Sequence, residues 1–257
     1  MTETRSLKTV WNDGGTALGG WLSLREPLLA EAAANSGYDY VCIDMQHGLS
    51  DYEQTVTLLH AMARLPAVPI VRVPWNEQGI IGRVLDAGAM GVIIPMVNSA
   101  EEARRAVAAC RFAPRGARSF GPLVAGTRYG AGYFGGADDL VACIPMIETR
   151  QAVEAIDDIL AVDGIDAVYV GPADLSITYG LQPGVDNPGE PFDGALARVV
   201  DSCQRHGVVP GIHAIASLAA KRHQGGFRMI TVGNDAGAAM TGLRADASTA
   251  RSAITSA

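Results

Sequence analysis

Residues 39–48 read Asp39-Tyr-Val-Cys-Ile-Asp44-Met-Gln-His47-Gly48, a short apolar run that ends abruptly in a polar cluster. A segment apolar at nearly every position and too short for a stable helix has the pattern of a β-strand buried on both faces of a parallel sheet. Working outward, similar runs occupy residues 17–22, 68–73, 91–95, 141–147, 167–170, 208–212 and 229–232, and longer segments of helical character separate them. Alternating strands and helices build βαβ units, and eight such strands, counting 40–43, are the number that closes a barrel. The chain is therefore expected to form one (β/α)8 barrel of the TIM type over residues 1–257.

The intervening segments carry their own helix signals. Ser50-x-x-Glu53 and Ser99-x-x-Glu102 read as capping boxes, in which a serine and a glutamate three residues later satisfy free backbone amides. Residues 111–139 are rich in glycine, contain Arg115, Arg118 and Arg128, and show little periodicity, so an irregular functional or interface segment is expected there. Residues 235–257 are rich in alanine and glycine, with Met240, Leu243 and Ile254, and are expected to form a C-terminal helical segment that could pack against another chain as readily as against its own barrel.

Composition narrows the function. With 257 residues, 48% of them hydrophobic and 18% charged, the chain can bury a large core. A net charge of -7 and the lack of a basic tract argue against nucleic acid as a partner. No apolar run reaches the roughly 20 residues that cross a bilayer, and the polar start MTETRSLKTV lacks the apolar centre of a secretion signal, so a cytoplasmic, membrane-free protein is expected. Cys42, Cys110, Cys143 and Cys203 form no CxxC pair and read as buried free thiols.

Barrel enzymes carry their chemistry where the strands end. Here those ends supply Asp44 and His47 after the second run, Arg72 in the third, Glu148 after the fifth and Asp174 after the sixth. Two carboxylates on neighbouring strands suit a hard divalent cation such as Mg²⁺, Mn²⁺ or Co²⁺, although both acids could instead serve as helix caps. His47, three residues after Asp44, is placed for proton transfer or for a simple His-Gly turn. Arg72 either stabilises an oxyanion or forms a structural salt bridge to Asp44 or Glu148.

At these residues the chain resembles the HpcH/HpaI aldolase family, metal-dependent pyruvate aldolases that include 4-hydroxy-2-oxoheptanedioate and 2-keto-3-deoxy-sugar-acid aldolases. The resemblance is carried by residues 39–48, Val71-Arg72-Val-Pro74, Leu85-Asp86-Ala-Gly88, Ile94-Pro95-Met-Val97, Ile147-Glu148-Thr149 and Val170-Gly171-Pro172-Ala173-Asp174-Leu175-Ser176. It implies metal ligation by Glu148 and Asp174, enolate stabilisation by Arg72, and proton transfer by His47 with support from Asp44. It also implies pyruvate binding at Ala173 and Asp174, a role for Asp86 across a subunit contact, and a homohexamer. Where relatives commonly carry a glutamine two residues before the metal-binding glutamate, this chain has Met146, which cannot donate a hydrogen bond. Ile212 and His213, after the seventh strand, fall at a position expected to influence substrate choice.

The implied reaction is reversible cleavage of a 4-hydroxy-2-oxo acid to pyruvate and an aldehyde. No lysine lies at these strand ends, which disfavours a Schiff-base aldolase. A lyase of the citrate-lyase or malyl-coenzyme A type is the nearest alternative and would need residues 111–128 as a basic surface for coenzyme phosphates. A non-catalytic barrel that binds a keto acid is the other.

Overall fold

The computed structural model describes residues 5–256, so the first four residues of the polar start, together with Ala257, lie outside the described residues. Eight parallel strands close a barrel in sequence order, β1 Ala17–Leu22, β2 Tyr40–Asp44, β3 Val68–Arg72, β4 Gly91–Ile94, β5 Ala142–Ile147, β6 Ala167–Val170, β7 Val209–His213 and β8 Met229–Asn234. All eight expected runs are strands, with ends displaced by no more than a residue or two.

Alternate side chains sort the strands into two packed layers. Cys42, Ile70, Ile93, Ile144 and Met229 fill the barrel interior. Val41, Val71, Ile94, Val168 and Ile230 face outward and pack with helical residues such as Leu58, Ile81, Val107 and Val199. Gly19 belongs to the interior solution, since a Cβ there would lie 2.0 Å from the ring of Tyr40. The barrel floor, at the N-terminal ends of the strands, is structural. The helix Leu7–Asn12 inserts Leu7 there, and Arg111 donates to Asp166 (2.6 Å) and to the carbonyl oxygens of Val141 and Gly164.

Local structure departs from the sequence pattern at two places. Asp51, not Ser50, caps the helix Tyr52–Ala61, accepting the Gln54 amide at 2.9 Å, while the Ser50 hydroxyl is buried without a partner. Ser99 does cap the helix Ala100–Cys110, and Glu102 reaches back to the amide of Asn98 at 2.6 Å. Residues 111–139 are less irregular than expected. They contain the helix Leu123–Tyr129 and most of the helix Tyr133–Leu140, which pack around Phe112, Ala125, Tyr133 and Ala137. Glycine weakens helical propensity, and tertiary burial overrides it here.

The C-terminal helix Asp235–Thr255 has no buried residue and exposes Met240, Leu243 and Ile254. All four cysteines are buried and free. Among the described residues no helix is long and apolar enough to cross a membrane.

Candidate active site

A cavity of about 320 Å³ opens at the C-terminal ends of the strands. His47, Arg72, Glu148, Ala173 and Asp174 all line it, so four of the strands deliver the polar residues expected of them to one place.

Glu148 follows β5 directly and is almost fully buried. Its Oε1 accepts the backbone N–H of Met96 at 2.7 Å, and Met96 itself holds a positive φ of 56°. Burial raises the Glu148 carboxyl to about 6; the Asp174 charge reinforces the rise, and the Met96 amide and Arg72 oppose it. Thr149, rather than Glu148, caps the next helix, accepting the Ala152 amide at 3.0 Å. Asp174 stands exposed in the first turn of the helix Pro172–Thr178.

Whether these residues suit a cation is tested by the space around them. At Gly171 a Cβ would come within 2.7 Å of Glu148 Oε2, so the glycine keeps that oxygen uncovered. The Asp174 charge disfavours ionisation of Glu148 across the same cavity, and a cation there would relieve that repulsion. Among the described residues no group of three or more His, Cys, Asp or Glu side chains could hold a metal. The donor set is thus two hard oxygens with remaining positions left to water and substrate, which fits a divalent cation of the magnesium or manganese kind.

Arg72 ends β3 and pairs with Asp44, its register partner at the end of β2. Nε donates to Asp44 Oδ1 at 2.9 Å and Nη2 to Oδ2 at 2.6 Å, which selects Asp44 from the two salt-bridge partners open to it. Nη1 makes no hydrogen bond among the described residues and is not sealed off. Burial raises the Asp44 carboxyl, but the Arg72 hydrogen bonds and charge, with Trp21, hold it below its ordinary value. Asp44 also accepts the backbone amides of Gln46 (3.0 Å) and His47 (3.3 Å). Its carboxylate therefore shapes the loop that carries His47 through backbone amides and, among the described residues, makes no hydrogen bond to the imidazole. The His47 ring is exposed at the cavity edge.

Two expected site residues sit elsewhere. Ile212 is fully buried in the layer between strands and helices, because side chains alternate along β7, and it is His213 that lines the cavity. Asp86 ends the helix Gln78–Asp86 and accepts Arg118 at 2.7 Å, away from the cavity of its own chain. Met146 does line the cavity, beside Gly171.

Several contributors escaped the sequence reading. Trp21 Nε1 donates to Asp44 Oδ2 at 3.2 Å, and the Arg72 guanidinium lies 4.9 Å from the Trp21 ring centre. Asp235 accepts the amides of Ser23 and Leu24, both at 2.9 Å, and so fixes the loop after β1 at the rim. Tyr169 and Thr231 form a buried hydroxyl pair beneath His213. The available signal was the period-two alternation, which turns Tyr169 and Thr231 inward from otherwise apolar strands.

The chain's two lysines are far from this chemistry: Lys8 pairs with Asp166 at the barrel floor and Lys221 with Asp186. Within residues 111–128, Arg111 and Arg118 are buried in ion pairs with Asp166 and Asp86 and Arg115 pairs with Asp138, while the half-buried Arg128, its Nη1 packed beside Gly88, has no carboxylate partner among the described residues.

Residues 18–241 match the family described as HpcH/HpaI aldolase/citrate lyase. A protein of Rhizorhabdus wittichii named hydroxypyruvate/pyruvate aldolase is 42% identical over 230 residues, 89% of this chain and 92% of that protein. A protein of Salmonella heidelberg named 4-hydroxy-2-oxo-heptane-1,7-dioate aldolase is 37% identical over 235 residues, 90% of this chain and 88% of that protein. The crystal structure of an HpcH/HpaI aldolase/citrate lyase family protein from Burkholderia cenocepacia J2315 matches with a TM-score of 0.87 at 34% identity, covering 96% of this chain and 100% of that one.

Proposed function

This chain belongs to the HpcH/HpaI aldolase/citrate lyase family and is a carbon–carbon lyase of the aldolase type, and we propose that it is a divalent-cation-dependent aldolase that reversibly cleaves a 4-hydroxy-2-oxo acid to pyruvate and an aldehyde. The observation that carries this reading is the convergence of Glu148, Asp174, Arg72 and His47 on one cavity.

Glu148 and Asp174 would hold the cation, which supplies Lewis acidity toward the oxygens of the 2-oxo acid. The substrate carboxylate rests against the amides of Ala173 and Asp174. These lie in the first turn of their helix, whose first internally bonded amide is that of Leu175, on Gly171 O at 3.0 Å. Arg72 is held by Asp44 and offers Nη1 to the C2 oxygen as negative charge collects there. His47 takes the proton of the 4-hydroxyl; the C3–C4 bond then breaks, the C4 carbonyl of the aldehyde forms, and the bonding pair is left as pyruvate enolate. Protonation of C3 completes pyruvate, and the reverse sequence joins the two fragments.

Residues on other faces support assembly into a homohexamer, with Asp86 acting in the site of a neighbouring subunit. The exposed Met240, Leu243 and Ile254 on the C-terminal helix, together with the exposed Phe120, Leu123 and Phe134, are apolar surface for such contacts. The cytoplasm is the setting proposed for this chemistry.

The test is aldol addition of pyruvate to a panel of aldehydes after exhaustive chelation and again after return of Mg²⁺, Mn²⁺ or Co²⁺. Activity restored only by the cation supports the reading. Full activity in the chelated enzyme contradicts it.

A further inference from the structure

The wall of the cavity formed by β7, β8 and β1 is polar in a way the cleavage steps do not require. Ser23, His213 and Asn234 line it, and behind His213 lies a chain of buried hydroxyls. Tyr169 donates its single hydroxyl proton to Thr231 Oγ1 at 2.5 Å, and Tyr40 shares a 2.8 Å hydrogen bond with the same oxygen. The 3.2 Å contact between Tyr169 Oη and His213 Nδ1 must therefore take its proton from the imidazole, because the tyrosine has none left to give.

This accounting fixes the tautomer. Nδ1 carries the proton, and the neutral ring presents a bare Nε2. Burial, reinforced by the Arg72 charge and opposed by Asp44, lowers the His213 ring to about 4 and so keeps it neutral at physiological pH. Trp21 meets the ring edge-on at a centroid distance of 5.0 Å and limits its rotation. Nε2 makes no hydrogen bond among the described residues and is not sealed off, on a ring that lines the cavity.

We propose that the unprotonated Nε2 of His213 accepts a hydrogen bond from a hydroxyl of the aldehyde, so that this site prefers hydroxylated aldehydes to those that lack the hydroxyl or end in a carboxylate. A bare imidazole nitrogen welcomes a donor and offers nothing to an anion. Arg72, the arginine that lines this cavity, is paired with Asp44 through Nε and Nη2, and its remaining Nη1 is taken by the C2 oxygen of the 2-oxo acid. Tyr169 is a positioning residue, acting through the tautomer it imposes. The inference rests on the aldolase reading of the same cavity and names its acceptor class.

The test compares kcat/KM for pyruvate addition to glycolaldehyde, acetaldehyde and succinic semialdehyde. The wild type is expected to favour glycolaldehyde over acetaldehyde by about tenfold or more, the worth of one hydrogen bond that would otherwise be lost. Succinic semialdehyde should be the poorest of the three. In His213→Leu the glycolaldehyde preference should vanish through KM, His213→Gln should restore part of it through its amide oxygen, and Tyr169→Phe should weaken it although His213 remains. Nitrogen NMR of histidine-labelled wild type gives a reading that needs no variant: Nε2 should be unprotonated and Nδ1 protonated. An Nε2–H tautomer, or equal kcat/KM for glycolaldehyde and acetaldehyde in a wild type that exchanges pyruvate C3 protons, overturns the proposal alone. Failure of the wild type to exchange those protons with any of the three cations overturns the aldolase reading and this inference with it.

Discussion

Arg72 and His47 face the same cavity from neighbouring strands, yet their surroundings assign them different work. Arg72 is a buried cation with one carboxylate partner, so its charge is permanent and its position fixed; His47 is an exposed ring on a loop, free to meet a hydroxyl. Arg72→Ala is expected to impair both aldol cleavage and pyruvate proton exchange. It should also destabilise the fold by about 3 kcal/mol or more, because Asp44 would be left buried and unpaired. His47→Ala should slow cleavage by about 10²-fold or more while leaving exchange much less affected. Paired cleavage and exchange assays with thermal denaturation check the contrast, and equal small effects of both substitutions would show that the site is misplaced. Glu148 makes a pH-dependent prediction. Its folded value, about 6, exceeds its ordinary value of 4.5, so without a cation the folded chain binds the proton more tightly than the unfolded chain. That stabilisation is complete below 4.5 and is lost as pH rises through 6. The stability of metal-free wild type relative to Glu148→Gln should therefore fall by about 2 kcal/mol across that interval, measured by denaturant unfolding.

The strands were legible because each is apolar on both faces, and the polar residues after them stand out against that background. Less legible were side chains whose meaning depends on a partner from a distant strand. Tyr169 and Thr231 look like ordinary strand formers until β6 and β8 bring their hydroxyls together, and the choice of Asp44 as the Arg72 partner is made by the β2–β3 register. The helices within residues 111–139 were hidden because packing around Phe112 and Tyr133, not local propensity, forms them. The turn from β6 into the helix Pro172–Thr178 offers an element-scale test. Gly171→Ala would place a methyl group 2.7 Å from Glu148 Oε2 and 3.0 Å from Met146 Cε. Its backbone angles are ordinary, so the metal-free fold should change little in thermal stability. Cation affinity, read by calorimetry, should fall by about tenfold or more as the carboxylate is pushed from place. Unaltered affinity would mean that Glu148 does not ligate there.

At the scale of the whole molecule the two ends of the barrel have different duties. Arg111, Asp166, Lys8 and Leu7 lock the floor, and the rim collects groups whose charges are only partly compensated. The C-terminal helix and the segment around Phe120 leave apolar surface uncovered, so light scattering should report a mass several times the 26.8 kDa chain, and a fully active monomer would contradict the role proposed for Asp86 at a subunit contact. The most direct test of the central claim is exchange of the pyruvate methyl protons in deuterated water, followed by proton NMR with and without added Mg²⁺, Mn²⁺ or Co²⁺. Metal-dependent exchange in the wild type that falls by about 10²-fold or more in Glu148→Gln is the predicted result. Exchange that persists after complete removal of divalent cations, or that is unchanged in Glu148→Gln, would contradict it.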